Sequence, residues 1–150
     1  MGIRYYAYPV HAADIDNARA DPWAYLSDDP LLDAWGPPEQ RPRMLYLDKC
    51  WWELQDLLSD NPALAMVEGE VIHTHDGWIS HKKVLAPEEL PEIAEGLALV
   101  TEDDVLALAE SQTFRETEEQ RSYIQHYLSA ARTFADELRN EGLGLIYLIG

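Results

Sequence analysis

Apolar residues are most concentrated in Met44–Asp60, where their spacing predicts a short extended segment followed by a helix. The side of the helix expected to be buried carries Leu47, Cys50, Trp51, Leu54, Leu57 and Leu58. Polar residues fill the opposite side: Lys49, Glu53, Gln55 and Asp56. We expect Asp48 to cap this helix with its side chain and Trp52 to lie off the buried stripe. The segment is therefore predicted to anchor the core.

Two further apolar segments, Ile3–Pro9 and Leu143–Ile149, are predicted to be strands. Residues of the first alternate between two faces, with Ile3, Tyr5 and Ala7 on one and Arg4, Tyr6 and Tyr8 on the other. The second is apolar on both faces, which is typical of a strand inside a sheet rather than at its edge. This C-terminal strand is therefore predicted to be the central one.

Helical periodicity predicts further helices that begin near Asp14, Pro87, Thr101 and Thr117. Thr101 with Asp104, and Thr117 with Gln120, have the spacing of capping boxes. Together these elements predict an α+β fold. We expect a single domain over residues 1–150, in which about five helices pack on a small mixed sheet whose central strand is the C-terminal one.

Two segments lack a clear periodic pattern. Ser27–Arg43 is interrupted by several prolines and a glycine, so we expect a surface loop. Val71–Lys83 is expected to be irregular or weakly extended, with a turn at Asp76-Gly77. A long loop such as Ser27–Arg43 can be functional or merely variable.

The net charge of −17, from 28 acidic and 11 basic residues, is the strongest signal in the composition. This charge argues against binding to nucleic acid or to an anionic membrane surface. Two interpretations remain. The acidity can serve solubility in a high-salt or acid-rich proteome, or it can form a surface that docks on a basic protein partner.

The compartment expected from the sequence is the cytoplasm. A single cysteine, Cys50, cannot form an internal disulfide and suggests a reducing environment. The N-terminal residues lack the layout of a signal peptide, and no apolar run approaches the ~20 residues that span a bilayer.

Three histidines, His73, His75 and His81, form the best candidate metal site. Residues two apart in an extended segment point the same way, so His73 and His75 could bind one ion. His81 or Asp76 could complete a zinc or nickel site across the turn. The alternative is an exposed polar loop that binds metal only adventitiously, and no cofactor is otherwise expected.

Aromatic residues form a second group of candidates, because most of them fall in the first 52 residues of the chain. Their first interpretation is core packing. The alternative is a partly exposed aromatic surface ringed by acidic residues, which suits an interface with a protein or ligand. The residues proposed for such binding are Trp52, Trp23, Trp35 and Tyr6.

Five segments also occur in a familiar order and spacing: MGIRYYAYP, LDKCWWELQDLL, NPALAMVEGE, VLAPEELPEIAEGL and GLGLIYLIG. Together they resemble the YfbM-like family (domain of unknown function 1877) over nearly the whole chain. The resemblance implies a small α+β domain of a bacterial protein with no established catalytic residue or cofactor. Gln55 stands where that family often has histidine. The resemblance therefore carries no catalytic residue to this chain.

Two functions are compatible with these features of the sequence. The first is a non-enzymatic, acidic interaction domain of the immunity or inhibitor type, which binds a protein with a basic surface. The alternative is a small-ligand binder or hydrolytic enzyme that uses a cleft near the tryptophans, or metal bound by the histidines. The sequence leaves the catalytic residues and the oligomeric state unknown.

Overall fold

The computed structural model describes residues 2–150. The strands in this range are β1 Tyr5–Val10, β2 Leu45–Asp48, β3 Ile72–Thr74, β4 Gly77–Ile79, β5 His81–Leu85 and β6 Gly144–Ile149. The α-helices are α1 Ile15–Ala20, α2 Pro30–Trp35, α3 Trp51–Leu57, α4 Leu90–Leu99, α5 Glu102–Ser111 and α6 Thr117–Glu141. Short 3₁₀ turns lie at Ala12–Asp14, Pro22–Tyr25, Pro38–Gln40, Pro62–Met66 and Pro87–Glu89.

The main sheet has four strands in the order β2-β1-β6-β5. Strand β6 pairs with β1 on one side and with β5 on the other, which confirms the α+β fold with a central C-terminal strand. A mixed sheet is expected from the sequence, but the three pairings found in residues 2–150 are all antiparallel. Strand direction depends on the path of the intervening helices, which apolar periodicity does not encode.

The two faces of the sheet bury two separate apolar clusters. Tyr5 and Ala7 of β1 point into the larger cluster, which is covered by helices α3 to α6. Tyr6 and Tyr8 point into a smaller cluster, which includes Ile15 of α1. The alternation predicted for the first strand is therefore confirmed.

Helix α6 is the long helix that the sequence predicts, and its buried residues are Gln120, Ile124, Leu128, Ala131, Phe134, Ala135 and Leu138. It ends at Glu141 and is followed by the C-cap Gly142, whose φ of 67° lies in the left-handed region that favours glycine. In residues 2–150 no helix combines the length and the apolar content needed to cross a bilayer.

One of the two predicted capping boxes is present. The Thr101 hydroxyl accepts from the Asp104 amide at 3.1 Å, and the Asp104 carboxylate accepts from the Thr101 amide at 2.9 Å. The prediction for Thr117 and Gln120 is wrong. Helix α6 begins with Glu116 as its N-cap, without a side-chain cap, and Gln120 is buried in a polar cluster instead.

Both segments without a clear pattern contain regular structure. Ser27–Arg43 includes α2, which Asp29 caps by accepting from the Leu32 amide at 3.1 Å. Val71–Lys83 includes the exposed β3–β4 hairpin and the start of edge strand β5. These elements are too short for a periodic signal, and both depend on local caps and pairing.

Candidate functional site

Asp48 ends strand β2 with a φ of 51°, and it is the one non-glycine residue with a positive φ among residues 2–150. The predicted capping role of Asp48 is wrong. Helix α3 begins at Trp51, its N-cap is Cys50, and no side chain caps it. The left-handed backbone directs the chain from the sheet edge into α3 while the Asp48 side chain makes other contacts. Such a conformation costs about 1–2 kcal/mol for a residue with a Cβ, although Asp tolerates it better than most.

The Asp48 carboxylate is the centre of a hydrogen-bond network that joins three elements of the fold. It accepts from Arg4 Nε at 3.1 Å, from the Tyr46 hydroxyl at 2.9 Å and from the Tyr123 hydroxyl at 3.0 Å. The network connects the N-terminal segment, β2 and helix α6. These donors were not identified from the sequence. Arg4 and Tyr123 lie 44 and 75 positions from Asp48, and no local pattern marks Tyr46 as a donor.

The pKa values of this network show that the carboxylate is held in its charged form. Burial would raise the pKa of Asp48, but hydrogen bonds from Tyr46, Tyr123 and Arg4 outweigh it and hold the pKa below the usual value of 3.8. Burial and the bond to Asp48 raise the pKa of Tyr46 to about 12, and they also raise that of Tyr123. An ionised carboxylate with three side-chain donors is not poised to exchange protons near neutral pH.

Two of the four aromatic candidates, Trp35 and Tyr6, lie beside this network. Trp35 Nε1 donates to the Tyr46 hydroxyl at 3.2 Å, and the Arg4 guanidinium lies 5.3 Å from the centroid of the Trp35 ring. The Tyr6 ring is buried 5.5 Å from that of Tyr46. Trp35 is therefore the exposed member of an aromatic and ionic cluster on the surface, and Tyr6 lies beneath it.

The other two aromatic candidates, Trp52 and Trp23, make different contacts. Trp52 is 63% exposed and touches Trp51 edge-on, with 5.6 Å between the ring centroids. Trp23 is 56% exposed, and the Lys82 ammonium lies 4.6 Å from its ring centroid. The four residues therefore do not form one aromatic surface.

The three histidine candidates lie on different elements. His73 is on the exposed strand β3, His75 is in the turn after it, and His81 begins strand β5 of the main sheet. Within residues 2–150 no group of three or more His, Cys, Asp or Glu side chains is placed to hold a metal ion. The structure therefore does not bring the predicted ligands together.

His81 packs into the fold rather than extending into solvent. Its ring lies 6.0 Å from the ring of Tyr147 and directly against Gly69, and its Nε2 atom is buried without a hydrogen-bond partner. Burial and the charge of Lys83 lower the pKa of His81. Both effects disfavour the charged form of the ring, which acts as a packing group.

Glu53 is a buried acidic residue that the sequence placed on the polar side of α3, so that prediction is wrong. Its side chain is 7% exposed, Oε1 accepts from Gln120 Nε2 at 3.3 Å, and Oε2 has no partner. Arg115 donates to Gln120 Oε1 at 3.2 Å and lies 4.4 Å from the ring centroid of Tyr123. The signal for this burial is the spacing from Cys50 to Glu53, which places both on the stripe that faces the core.

Two clefts on the surface differ in charge. One, of about 610 Å³, lies between the Arg41–Tyr46 segment and residues 126–137 of helix α6. The other, of about 370 Å³, lies where α3, α4 and α5 meet, and it is lined by Asp56, Leu57, Ser59, Asp60, Asn61, Leu99, Val100, Asp104, Ala107 and Leu108. We call the first the β2–α6 cleft and the second the acidic groove.

Comparison with known proteins identifies the architecture. No family model matches the sequence, and no curated protein matches it. A solved structure of a protein of unknown function, YfbM from Escherichia coli, superposes with a TM-score of 0.64 at 16% identity, covering 99% of this chain and 100% of that one. The chain has a YfbM-like fold. At this identity the similarity to YfbM shows the fold alone, so a function has to be argued from the sites described above.

Proposed function

We propose that this protein is a non-enzymatic binding protein whose acidic groove receives a basic segment of another protein. The observation that carries the proposal is the lining of the groove. Three aspartates, Asp56, Asp60 and Asp104, line it, and its lining within residues 2–150 includes no Lys, Arg or His. The net charge of −17 reinforces the local charge.

The groove also offers apolar surface to a partner. Leu99 is 73% exposed, and the half-buried side chains of Leu57 and Leu108 lie in the same lining. Lysine and arginine have apolar stems and charged ends, so their stems can cover leucine while their ends reach carboxylates. The pairing of exposed leucine with aspartate therefore suits a basic, amphipathic segment.

The acidic residues of the groove are available as charges. Hydrogen bonds from Thr101 lower the pKa of Asp104, which keeps that carboxylate ionised. Asp56 and Asp60 are exposed and make no ion pair in the described part of the chain. Complementary charge of this kind accelerates association and makes it sensitive to salt.

An enzymatic function finds less support in the described residues. The polar cluster around Asp48 offers no free acceptor for catalysis, because its carboxylate is ionised and occupied by three side-chain donors. A metal-dependent hydrolase that uses His73, His75 and His81 is not proposed, because those residues lie on separate elements. A binding role needs neither a free base nor a nucleophile.

The test measures binding of a synthetic peptide that alternates leucine and arginine, with a leucine–glutamate peptide of equal length as the negative probe. We expect the basic peptide to bind the full chain, with an affinity that falls as salt is raised. The double variant Asp56→Asn with Asp60→Asn should bind it roughly three- to tenfold more weakly, the loss expected for two exposed charge pairs.

A matched control separates the groove from the overall charge. Asp16→Asn with Asp28→Asn removes the same two charges from exposed positions outside the groove. This variant should keep most of the affinity for the basic peptide. Equal losses in the two double variants would show that the peptide responds to net charge alone, and the groove would then have no specific role.

A further inference from the structure

The β2–α6 cleft differs from the acidic groove because its lining is not predominantly acidic. Its lining contains one glutamate, Glu137, together with Arg41 and His126. Glu137 is paired with Arg43 at 3.5 Å, and Arg43 also binds Glu141. Among the described residues the Arg41 guanidinium is in no ion pair, so the cleft presents a cationic group that no carboxylate contacts, in a chain of net charge −17.

The walls of the cleft are aromatic. The Tyr127 ring stands nearly perpendicular to that of Tyr46, with 6.5 Å between centroids, and to that of His126, with 4.8 Å. Met44 and Phe134 add apolar surface to the same lining. Ring faces and edges arranged in this way favour a planar apolar body over a flexible polar one.

Hydrogen-bond donors without partners lie on the same walls. Within residues 2–150 neither the Tyr127 hydroxyl nor that of Thr133 makes a hydrogen bond with another part of the chain. Burial raises the pKa of Tyr127, and the nearby charge of Arg41 acts in the opposite direction. The Tyr127 hydroxyl therefore keeps its proton and can donate it beside the Arg41 charge.

The geometry of α6 explains why these groups converge. Residues 126, 127, 130, 133, 134 and 137 recur at three- and four-residue spacing, so they share one face of the helix. Phe134 and its neighbours on the inner side pack into the core, while the outer members of this face look toward the Arg41–Tyr46 segment. One wall of the cleft is therefore built on helix α6 and the start of β2, whereas Arg41 and Met44 lie in the irregular segment that precedes β2.

We propose that the β2–α6 cleft binds a small organic monocarboxylate with a planar apolar body of one or two rings. Its volume of about 610 Å³ lies within the range of roughly 300–1,000 Å³ typical of small-molecule sites. Arg41 receives the carboxylate, and the aromatic walls receive the rings. A single negative charge is favoured because the site has one free guanidinium and the surrounding protein repels anions of higher charge.

This inference is independent of the proposed protein partner, because the cleft and the acidic groove share no lining residue. The test uses two probes of nearly equal shape, 1-naphthoate and the neutral 1-naphthalenemethanol, titrated into the ¹⁵N-labelled full chain. We expect the amide signals of Ser129, Ala130 and Thr133 to move. Naphthoate should bind roughly tenfold tighter than 1-naphthalenemethanol, because its carboxylate forms one charge-assisted hydrogen bond that the neutral probe lacks.

Two variants place the binding in the cleft. Arg41→Gln should lower the affinity for naphthoate to that for the neutral probe. Arg19→Gln removes a charge outside the cleft and should leave the difference in affinity between the two probes unchanged. Thr133→Trp should block both probes by filling the cleft. Ser122→Trp adds the same ring at an exposed position of α6 outside the cleft, and it should bind both probes with the affinity of the wild-type chain.

The proposal is overturned by any of three results. They are equal affinity of the two probes for the wild-type chain, undiminished naphthoate binding in Arg41→Gln, and amide shifts confined to residues outside the cleft. Arg41 is exposed and is in no ion pair within the described residues, so Arg41→Gln should fold and decide the question even if the tryptophan variant does not. Failure here leaves the acidic groove and its peptide test unaffected.

Discussion

Replacing Asp48 with glycine separates the two roles that this residue combines. The change removes a carboxylate that accepts from Arg4, Tyr46 and Tyr123. It also relieves a backbone held at a φ of 51°, which glycine adopts without penalty. The two effects have opposite signs, so the measured stability shows which one dominates.

The structure indicates that the hydrogen bonds dominate. Each bond to a charged group contributes about 1.5–3 kcal/mol, and bonds that share one acceptor are not additive. Relief of left-handed strain returns about 1 kcal/mol. We therefore expect Asp48→Gly to lower the free energy of unfolding by about 2–4 kcal/mol, and Asp48→Ala to lower it by about 1 kcal/mol more because alanine retains the backbone strain.

The assay is urea denaturation followed by tryptophan fluorescence, with the slope m checked for constancy across the variants. Asp60→Gly, an exposed aspartate without a side-chain hydrogen bond to the described chain, serves as a control for glycine's effect on the unfolded state. A neutral or stabilising Asp48→Gly would refute the reasoning. It would show that the network contributes little and that backbone strain is the main energetic feature of this residue.

Three further predictions concern packing, backbone and pH. Trp51→Ala should lower the free energy of unfolding by about 3–5 kcal/mol because the Trp51 ring is buried, whereas Trp52→Ala should lower it by less than about 1 kcal/mol because Trp52 is exposed. Equal denaturation midpoints for the two variants would contradict this assignment. Gly69→Ala should lower the free energy of unfolding by at least about 2 kcal/mol, because the φ of Gly69 is 119° and a Cβ there would meet the His81 ring. A melting temperature close to that of the wild type would show that the ring moves aside freely. The lowered pKa of Asp48 predicts a stability contribution that is present above the usual pKa of 3.8 and lost as pH falls through the lower folded value. The stability difference between the wild type and Asp48→Asn should therefore shrink on acidification, and a constant difference would contradict the pKa shift.

The elements that apolar spacing could predict are those stabilised mainly by burial. The stripe of α6, the two faces of β1 and the interior position of β6 all follow from alternation or helical spacing. The Thr101–Asp104 capping box was also predictable, because both partners lie within one helical turn. In each case the physical cause acts over a few residues.

The candidate sites depend on contacts between distant residues, and here the sequence was less informative. Buried Glu53 accepts from Gln120, 67 positions away, and Asp48 accepts from Tyr123, 75 positions away. Neither partner can be identified from local pattern. The histidines illustrate the converse, since closeness in sequence did not place His73 and His81 at one site.

The order of strands in the sheet has a consequence for how quickly the protein folds. Strand β6 joins residues far apart along the chain, such as Tyr5 with Ile149, whereas α4 and α5 both contact α6, which follows them closely along the chain. Closing long loops costs entropy before the pairing is gained, so the helices should form early and the four-stranded sheet late. Until β6 is in place, the backbone groups of β1 and β5 that pair with it remain unpaired. That interval, rather than the native state, is when the chain is most exposed to aggregation.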